Sequence, residues 1–136
     1  MPSFSNISEL KTHQLKGLKW TVQHAYSHSE HYKEAMEKAG VKPDDIQSLD
    51  DIQKLPFTTV DDLKSGYPFP LLSVPMSDVC RIHASSGTTG KRKILAYTQK
   101  DLNDWANFFA RCYEMVGLSV SDRVQIAVGY GIWTAG

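Results

Sequence analysis

The sequence lacks the marks of a secreted, membrane-spanning or strongly charged protein. Its 136 residues include two cysteines, Cys80 and Cys112, which are far apart and without metal-ligand spacing, so each is predicted to be a buried free thiol. No apolar run is long enough for a membrane helix and no apolar signal core precedes the first helix, which favours a cytoplasmic protein. Fifteen basic residues balance fifteen acidic ones, so no broad field favours nucleic acid or an anionic membrane as a partner.

The histidines also lack the companions of a metal site. His24, His28 and His31 could share one helix face, but no carboxylate or cysteine pattern completes a ligand set around them. A solvated helix surface is the simpler interpretation, and no metal ligand is predicted.

Residues 1–78 are predicted to form a helical N-terminal segment that ends in a proline-rich connector. The first helix is indicated by apolar residues at helical spacing, namely Leu15, Leu18, Val22, Ala25 and Tyr26. Capping-box pairs predict the starts of three more helices: Ser27 with Glu30, Ser48 with Asp51, and Thr59 with Asp62.

Residues 79–136 are predicted to begin an α/β domain. Strands are expected over 79–84, 94–97 and 124–128, and a long helix that opens with Thr98 and Asp101 lies between the last two. A strand, a long helix and a strand indicate the start of a layered α/β domain with parallel pairing. The apolar face of this helix is predicted to be core and comprises Leu102, Trp105, Ala106, Phe109, Cys112, Tyr113 and Val116.

The segment between the first two strands is built like a cradle for phosphates. Its glycines allow backbone N–H groups to approach an anion, its hydroxyls add short donors, and its lysine adds a mobile positive charge. It is not the common P-loop, because Ser85 stands five positions before Gly90 and Arg92 follows the lysine. The alternative is a polar hairpin whose glycines serve only the turn. The candidate residues are Ser85, Ser86, Gly87, Thr88, Thr89, Gly90 and Lys91.

The segment from His83 to Lys91 resembles the phosphate loop of the phenylacetate–CoA ligase family, which belongs to the adenylate-forming enzymes. Flanking segments resemble the same family in order and spacing, over nearly all of residues 20–136. They are Leu55-Pro56-Phe57-Thr58-Thr59, Asp62-Leu63, Tyr67-Pro68-Phe69, Tyr97-Thr98, Asp101-Leu102, Asp122-Arg123-Val124-Gln125 and Tyr130-Gly131.

The resemblance implies an enzyme that couples a carboxylic acid such as phenylacetate to ATP and then transfers the acyl group to coenzyme A. By the same resemblance, the chain begins a nucleotide-binding domain whose seven loop residues hold the β- and γ-phosphates of ATP. The resemblance also implies that Tyr130 and Trp133 line the acyl pocket, and ordinary core packing is the alternative for both, more strongly for Trp133. Mg²⁺ is expected with the phosphates, without ligands assigned from this chain. No residue present carries the role of the family's late catalytic lysine. Arg92 and Lys93 depart from the family pattern, which usually has proline after the loop lysine.

The fold expected from these patterns is therefore α/β and incomplete. The chain stops just after the third predicted strand, where a further crossover is expected, so it is interpreted as the N-terminal part of a larger ligase that is inactive alone. One alternative is a truncated, non-catalytic module that binds a partner or forms a homodimer through exposed apolar faces. Another is a different nucleotide-dependent enzyme that uses the loop for a different phosphorylated ligand.

Overall fold

The computed structural model describes residues 3–87, 90, 92–127, 129 and 131–132. The chain divides into two compact units, Met1–Val74 and Pro75–Gly136, and each is described by itself. No helix in the described part of the chain is long and apolar enough to cross a membrane.

The first unit is built on two helices, α1 (Ile7–His28) and α2 (Glu30–Lys38). The side chain of Asn6 caps α1 by accepting a hydrogen bond from the backbone N–H of Glu9 at 2.9 Å. After α2, Gly40 takes a φ of +68°, a left-handed conformation that glycine adopts readily, and the chain turns back. The small core between the helices and the following segment consists of Val22, Met36, Val41 and Ile46, with Leu18, Tyr26 and Leu55 packed against it.

The predicted helix start at Ser27 and Glu30 is wrong, because α1 runs past Ser27 to His28 and Ser29 is the residue that precedes α2. The Ser27 hydroxyl instead accepts a hydrogen bond from the Gln23 side chain at 2.9 Å. The helix break also separates the histidines. His24 and His28 stack on α1, whereas His31 lies on α2.

The other two predicted caps form, but no α-helix follows either. Ser48 and Asp51 make the capping box of a 3₁₀ helix, Leu49–Lys54, which ends before Pro56. The carboxylate of Asp62 accepts hydrogen bonds from the N–H and hydroxyl of Thr59, yet residues 60–68 form turns. Two shorter 3₁₀ helices cover Pro43–Asp45 and Met76–Asp78.

The second unit consists of a β-hairpin and one long helix. Strand β1 (Val79–Ala84) pairs antiparallel with β2 (Ile94–Thr98), and the register places Ala84 opposite Ile94. Helix α3 (Gln99–Met115) begins at the predicted capping box of Thr98 and Asp101.

The expected parallel pairing is not found in the described residues. That pairing is expected across α3, between the strand at 94–97 and the third predicted strand. The nine-residue loop between β1 and β2 is too short for a parallel crossover, and these two strands form an antiparallel hairpin. The third predicted strand is not formed over residues 122–127, and Val128 lies outside the described residues.

The predicted core face of α3 is largely uncovered. Leu102 and Trp105 are half-buried against the hairpin, whereas the later residues of the stripe are exposed. The prediction that both cysteines are buried is also wrong: Cys112 lies on this uncovered face of α3, and Cys80 lies on β1. Both thiols are free, as predicted, but Cys80 and Cys112 are exposed rather than buried.

Candidate functional site

The loop between β1 and β2 is closed at its base by two hydrogen bonds between Ser85 and Lys93. The backbone N–H of Ser85 donates to the carbonyl of Lys93 at 2.9 Å. The backbone N–H of Lys93 donates to the hydroxyl oxygen of Ser85, also at 2.9 Å. This pair of bonds, hereafter the Ser85–Lys93 clasp, holds the two ends of the loop together.

The middle of the loop turns at two glycines with left-handed backbone. Gly87 has a φ of +74° and Gly90 a φ of +122°, conformations that are costly for residues with a β-carbon. The N–H of Gly90 donates to the carbonyl of Gly87 at 3.1 Å, which closes a tight turn. A β-carbon at Gly87 would lie only 3.2 Å from the carbonyl oxygen of Gly90. The turn therefore requires glycine at position 87 for both backbone and steric reasons.

Four of the seven predicted loop residues lie in the described part of the chain, and this turn brings them together. Ser85 is half-buried at the base, Ser86 is exposed, and Gly87 and Gly90 form the turn. The other predicted residues of the site lie outside the described residues: Thr88, Thr89, Lys91, Tyr130 and Trp133.

The Ser85 hydroxyl has a use that the sequence did not indicate. It was predicted as a donor to phosphate, but in the clasp its oxygen accepts the Lys93 N–H. A hydroxyl can accept and donate at the same time, so its hydrogen is still available to a ligand.

The hairpin is strongly basic although the whole chain is neutral. Residues 79–98 include no aspartate or glutamate, and their cationic residues are Arg81, Lys91, Arg92 and Lys93. A turn with glycines, hydroxyls and nearby cations is suited to bind an oxyanion such as a phosphate. Among the described residues, no group of three or more histidine, cysteine, aspartate or glutamate side chains is placed to hold a metal ion.

A buried imidazole supports the strand that leads into the loop. His83 is 5% exposed, and its ring packs edge-on against Tyr97 at 5.1 Å and against Trp105 at 5.4 Å between ring centroids. Its Nδ1 has no hydrogen-bond partner among the described residues. Sequence reasoning included His83 only as the first residue of the matched segment. The usable signal was its position near the end of β1, two residues before Ser85.

The last described residues reach the base of the loop. The N–H of Ala84 donates to the carbonyl of Ile132 at 2.7 Å, one residue before Ser85. Ile132 lies in sequence between Tyr130 and Trp133, the two residues predicted to line an acyl pocket. The backbone of Ile132 is thus held next to the end of β1.

The sequence is closely similar to curated phenylacetate-coenzyme A ligases. It is 46% identical over 132 residues to the Escherichia coli K12 protein of that name, covering 97% of this chain and 30% of the relative. It is 48% identical over 128 residues to the Aromatoleum evansii protein, covering 94% of this chain and 29% of the relative. The chain thus spans about 30% of the length of the curated relatives it matches. No protein-family model matches the chain.

Solved structures of a 2-hydroxyisobutyryl-CoA ligase share the fold. One structure shows that ligase in complex with 2-HIB-AMP and CoA in the thioesterification state. It is 29% identical in sequence, has a TM-score of 0.72, and the match covers 79% of this chain and 24% of the ligase chain. An open conformation of that ligase, also with 2-HIB-AMP and CoA, is 23% identical and has a TM-score of 0.84. This match covers 98% of this chain and 34% of the ligase chain. Over nearly its whole length, the chain is thus a homologue of part of the phenylacetate-coenzyme A ligases, and it shares its fold with part of an acyl-CoA ligase.

Proposed function

We propose that residues 85–91 form the polyphosphate site of an ATP-dependent aryl- or arylacetate-CoA ligase. The observation that carries this proposal is the glycine turn at Gly87 and Gly90, with the Ser85–Lys93 clasp at the base of the loop and the Arg92 side chain beside Gly87. The names of the curated relatives support phenylacetate or a similar aromatic acid as the substrate. ATP and coenzyme A are the proposed co-substrates, and the free thiols are compatible with the reducing cytoplasm where both are found.

The proposed role of the loop is to bind and align phosphates. In the first half-reaction, a carboxylate oxygen of the acid bonds to the α-phosphorus of ATP and the bond to the β-phosphate oxygen breaks, which releases pyrophosphate. In the second, the CoA thiol attacks the acyl carbon, loses its proton and displaces AMP. Reactions at phosphorus depend chiefly on positioning and charge stabilisation, which backbone N–H groups at a glycine turn and a neighbouring arginine can provide. The loop residues are therefore assigned binding roles, and none is assigned as an acid, base or nucleophile.

Magnesium is assigned no ligand in this hairpin. Mg²⁺ prefers carboxylate and phosphate oxygens, and residues 79–100 contain no carboxylate side chain. We propose that the ion enters the site already bound to the phosphates of ATP.

Exchanging Gly87 for alanine tests the phosphate site. The new β-carbon would meet the Arg92 side chain at 2.7 Å in a backbone conformation that alanine rarely adopts. We expect Gly87→Ala to weaken binding of MgATP and of tripolyphosphate by at least about tenfold, measured by titration calorimetry. Gly17→Ala is the matched control, because Gly17 lies in α1 with nothing within 4 Å of the added carbon. Wild-type affinity in Gly87→Ala, or no binding by the wild-type chain, would contradict the proposal.

The acid is identified by a separate assay. Where the reading frame continues beyond codon 136, acid-dependent exchange of pyrophosphate into ATP by the whole protein tests the proposed substrate class. We expect phenylacetate to support exchange better than 2-hydroxyisobutyrate. A preference for the hydroxy acid would overturn the choice of substrate without affecting the phosphate site.

A second candidate function is a non-catalytic module that self-associates. It is favoured by the exposed apolar face of α3, where Phe109 is 49%, Met115 85% and Val116 75% exposed. Sedimentation at rising protein concentration tests it. Dimers whose formation is unaffected by MgATP would support the module, and a monomer throughout would count against it.

A further inference from the structure

The side chain of Arg92 lies across the glycine turn. A β-carbon built on Gly87 would be 2.7 Å from Cγ of Arg92 and 3.6 Å from its Nε. The aliphatic part of Arg92 thus covers the open side of Gly87, and the guanidinium begins beside the turn that is proposed to hold phosphates. This placement could not be predicted from the sequence, which indicated only an extra cation after the loop lysine.

The guanidinium of Arg92 is available for a ligand. The side chain is exposed, and among the described residues it forms no hydrogen bond or ion pair. No acidic residue occurs between Asp78 and Asp101 in the sequence to neutralise it. A planar guanidinium presents a fork of N–H donors that matches two oxygens of one phosphate, which a lysine cannot do.

We infer that Arg92 is a second phosphate-contacting cation of this loop and holds the terminal phosphates of a bound nucleoside triphosphate. The inference rests on the proposed function, since it requires phosphates at the Gly87 turn. It assigns to Arg92 a share of the affinity for ATP and for free polyphosphate, but none of the affinity for AMP, which lacks those phosphates.

The test compares variants that separate the charge from the packing of the side chain. Arg92→Gln keeps Cβ and Cγ, so Gly87 remains covered while the guanidinium is lost. Arg92→Lys keeps the charge but not the fork. Arg81→Gln is the matched control, because it removes one positive charge from an exposed position of β1 in the same unit. The dissociation constants of tripolyphosphate, MgATP and AMP are measured by titration calorimetry at two salt concentrations.

We expect Arg92→Gln to raise the dissociation constants of MgATP and tripolyphosphate about tenfold and to flatten their dependence on salt. Arg92→Lys should fall between Arg92→Gln and the wild type, Arg81→Gln should stay within about twofold of the wild type, and AMP binding should be the same in all four proteins. Equal losses of affinity in Arg92→Gln and Arg81→Gln would show that the two arginines act only through general electrostatic attraction. That result would overturn the inference about Arg92 but leave the proposed phosphate site intact. Failure of the wild-type chain to bind either polyphosphate would overturn the proposed function, and the inference with it.

Discussion

Removing the Ser85 hydroxyl should loosen the loop without breaking the hairpin. Ser85→Ala deletes the oxygen that accepts the Lys93 N–H at 2.9 Å, but leaves the backbone bond from Ser85 to the Lys93 carbonyl. A neutral hydrogen bond of this kind contributes about 1 kcal/mol net, and this one is partly shielded from water. A loss of about 1 kcal/mol in the local opening free energy corresponds to about fivefold faster exchange of the Lys93 amide hydrogen.

Amide hydrogen exchange followed by NMR measures this effect at the bond itself. Ser85→Thr keeps a hydroxyl at the same atom position and should exchange like the wild type. Ser86→Ala removes the neighbouring, exposed hydroxyl and should leave the Lys93 amide unchanged. An unchanged Lys93 exchange rate in Ser85→Ala would refute the clasp. Equal acceleration in Ser86→Ala would show that the effect is not specific to the bond.

Two further predictions concern groups outside the loop. The Lys54 ammonium and, to a smaller extent, the backbone N–H groups of Gln47 and Ser48 hold the pKa of Asp51 below its usual value. The ionised carboxylate therefore stabilises the folded state at pH values above its unfolded pKa of about 3.9. That stabilisation is lost as the pH falls through the lower pKa of the folded state. Asp51→Asn should therefore be less stable than the wild type at pH 7 and converge with it in acid, measured by urea unfolding followed by circular dichroism; parallel pH profiles would contradict this. His83→Phe should keep the ring contacts with Tyr97 and Trp105 and remove a nitrogen that has no partner among the described residues, so its free energy of unfolding should stay within about 1 kcal/mol of the wild-type value. His83→Ala should lower the free energy of unfolding by about 2–4 kcal/mol, because it removes the ring and leaves a cavity. Equal losses in the two variants, measured by tryptophan fluorescence in urea, would contradict the packing argument.

Helix starts that depend on hydrogen bonds between residues close in sequence were mostly predicted correctly. The capping boxes at Ser48 and Thr98 form as expected, because both partners lie within one turn and need no tertiary contact. The cap at Ser27 was wrong because Ser29 also precedes an acidic helical turn. The sequence pattern fits a helix start at either serine. The boundary between α1 and α2 is decided by the hydrogen bonding of α1, which continues to the bond from the Ser29 N–H to the Ala25 carbonyl.

The candidate site was predictable in its residue types but not in its geometry. The need for glycine at 87 and 90 follows from a short loop that must turn sharply, and both have left-handed backbone. The clasp between Ser85 and Lys93 and the position of Arg92 over Gly87 depend on how the whole loop is folded. Spacing along the sequence gives no direction for a side chain in an irregular loop, so these contacts required the structure.

The burial of α3 was mispredicted for a different reason. The apolar stripe is real, but only its first turns meet the hairpin, where Trp105 stacks on Tyr97 at 5.4 Å between centroids. Further along, Tyr113 is 42% and Val116 75% exposed. Hydrophobic periodicity indicates which face of a helix is suited to burial, but it does not show what covers that face. Trp105 meets the hairpin and Val116 stays exposed, so the same periodic pattern gave a correct prediction near the start of α3 and a wrong one at its end.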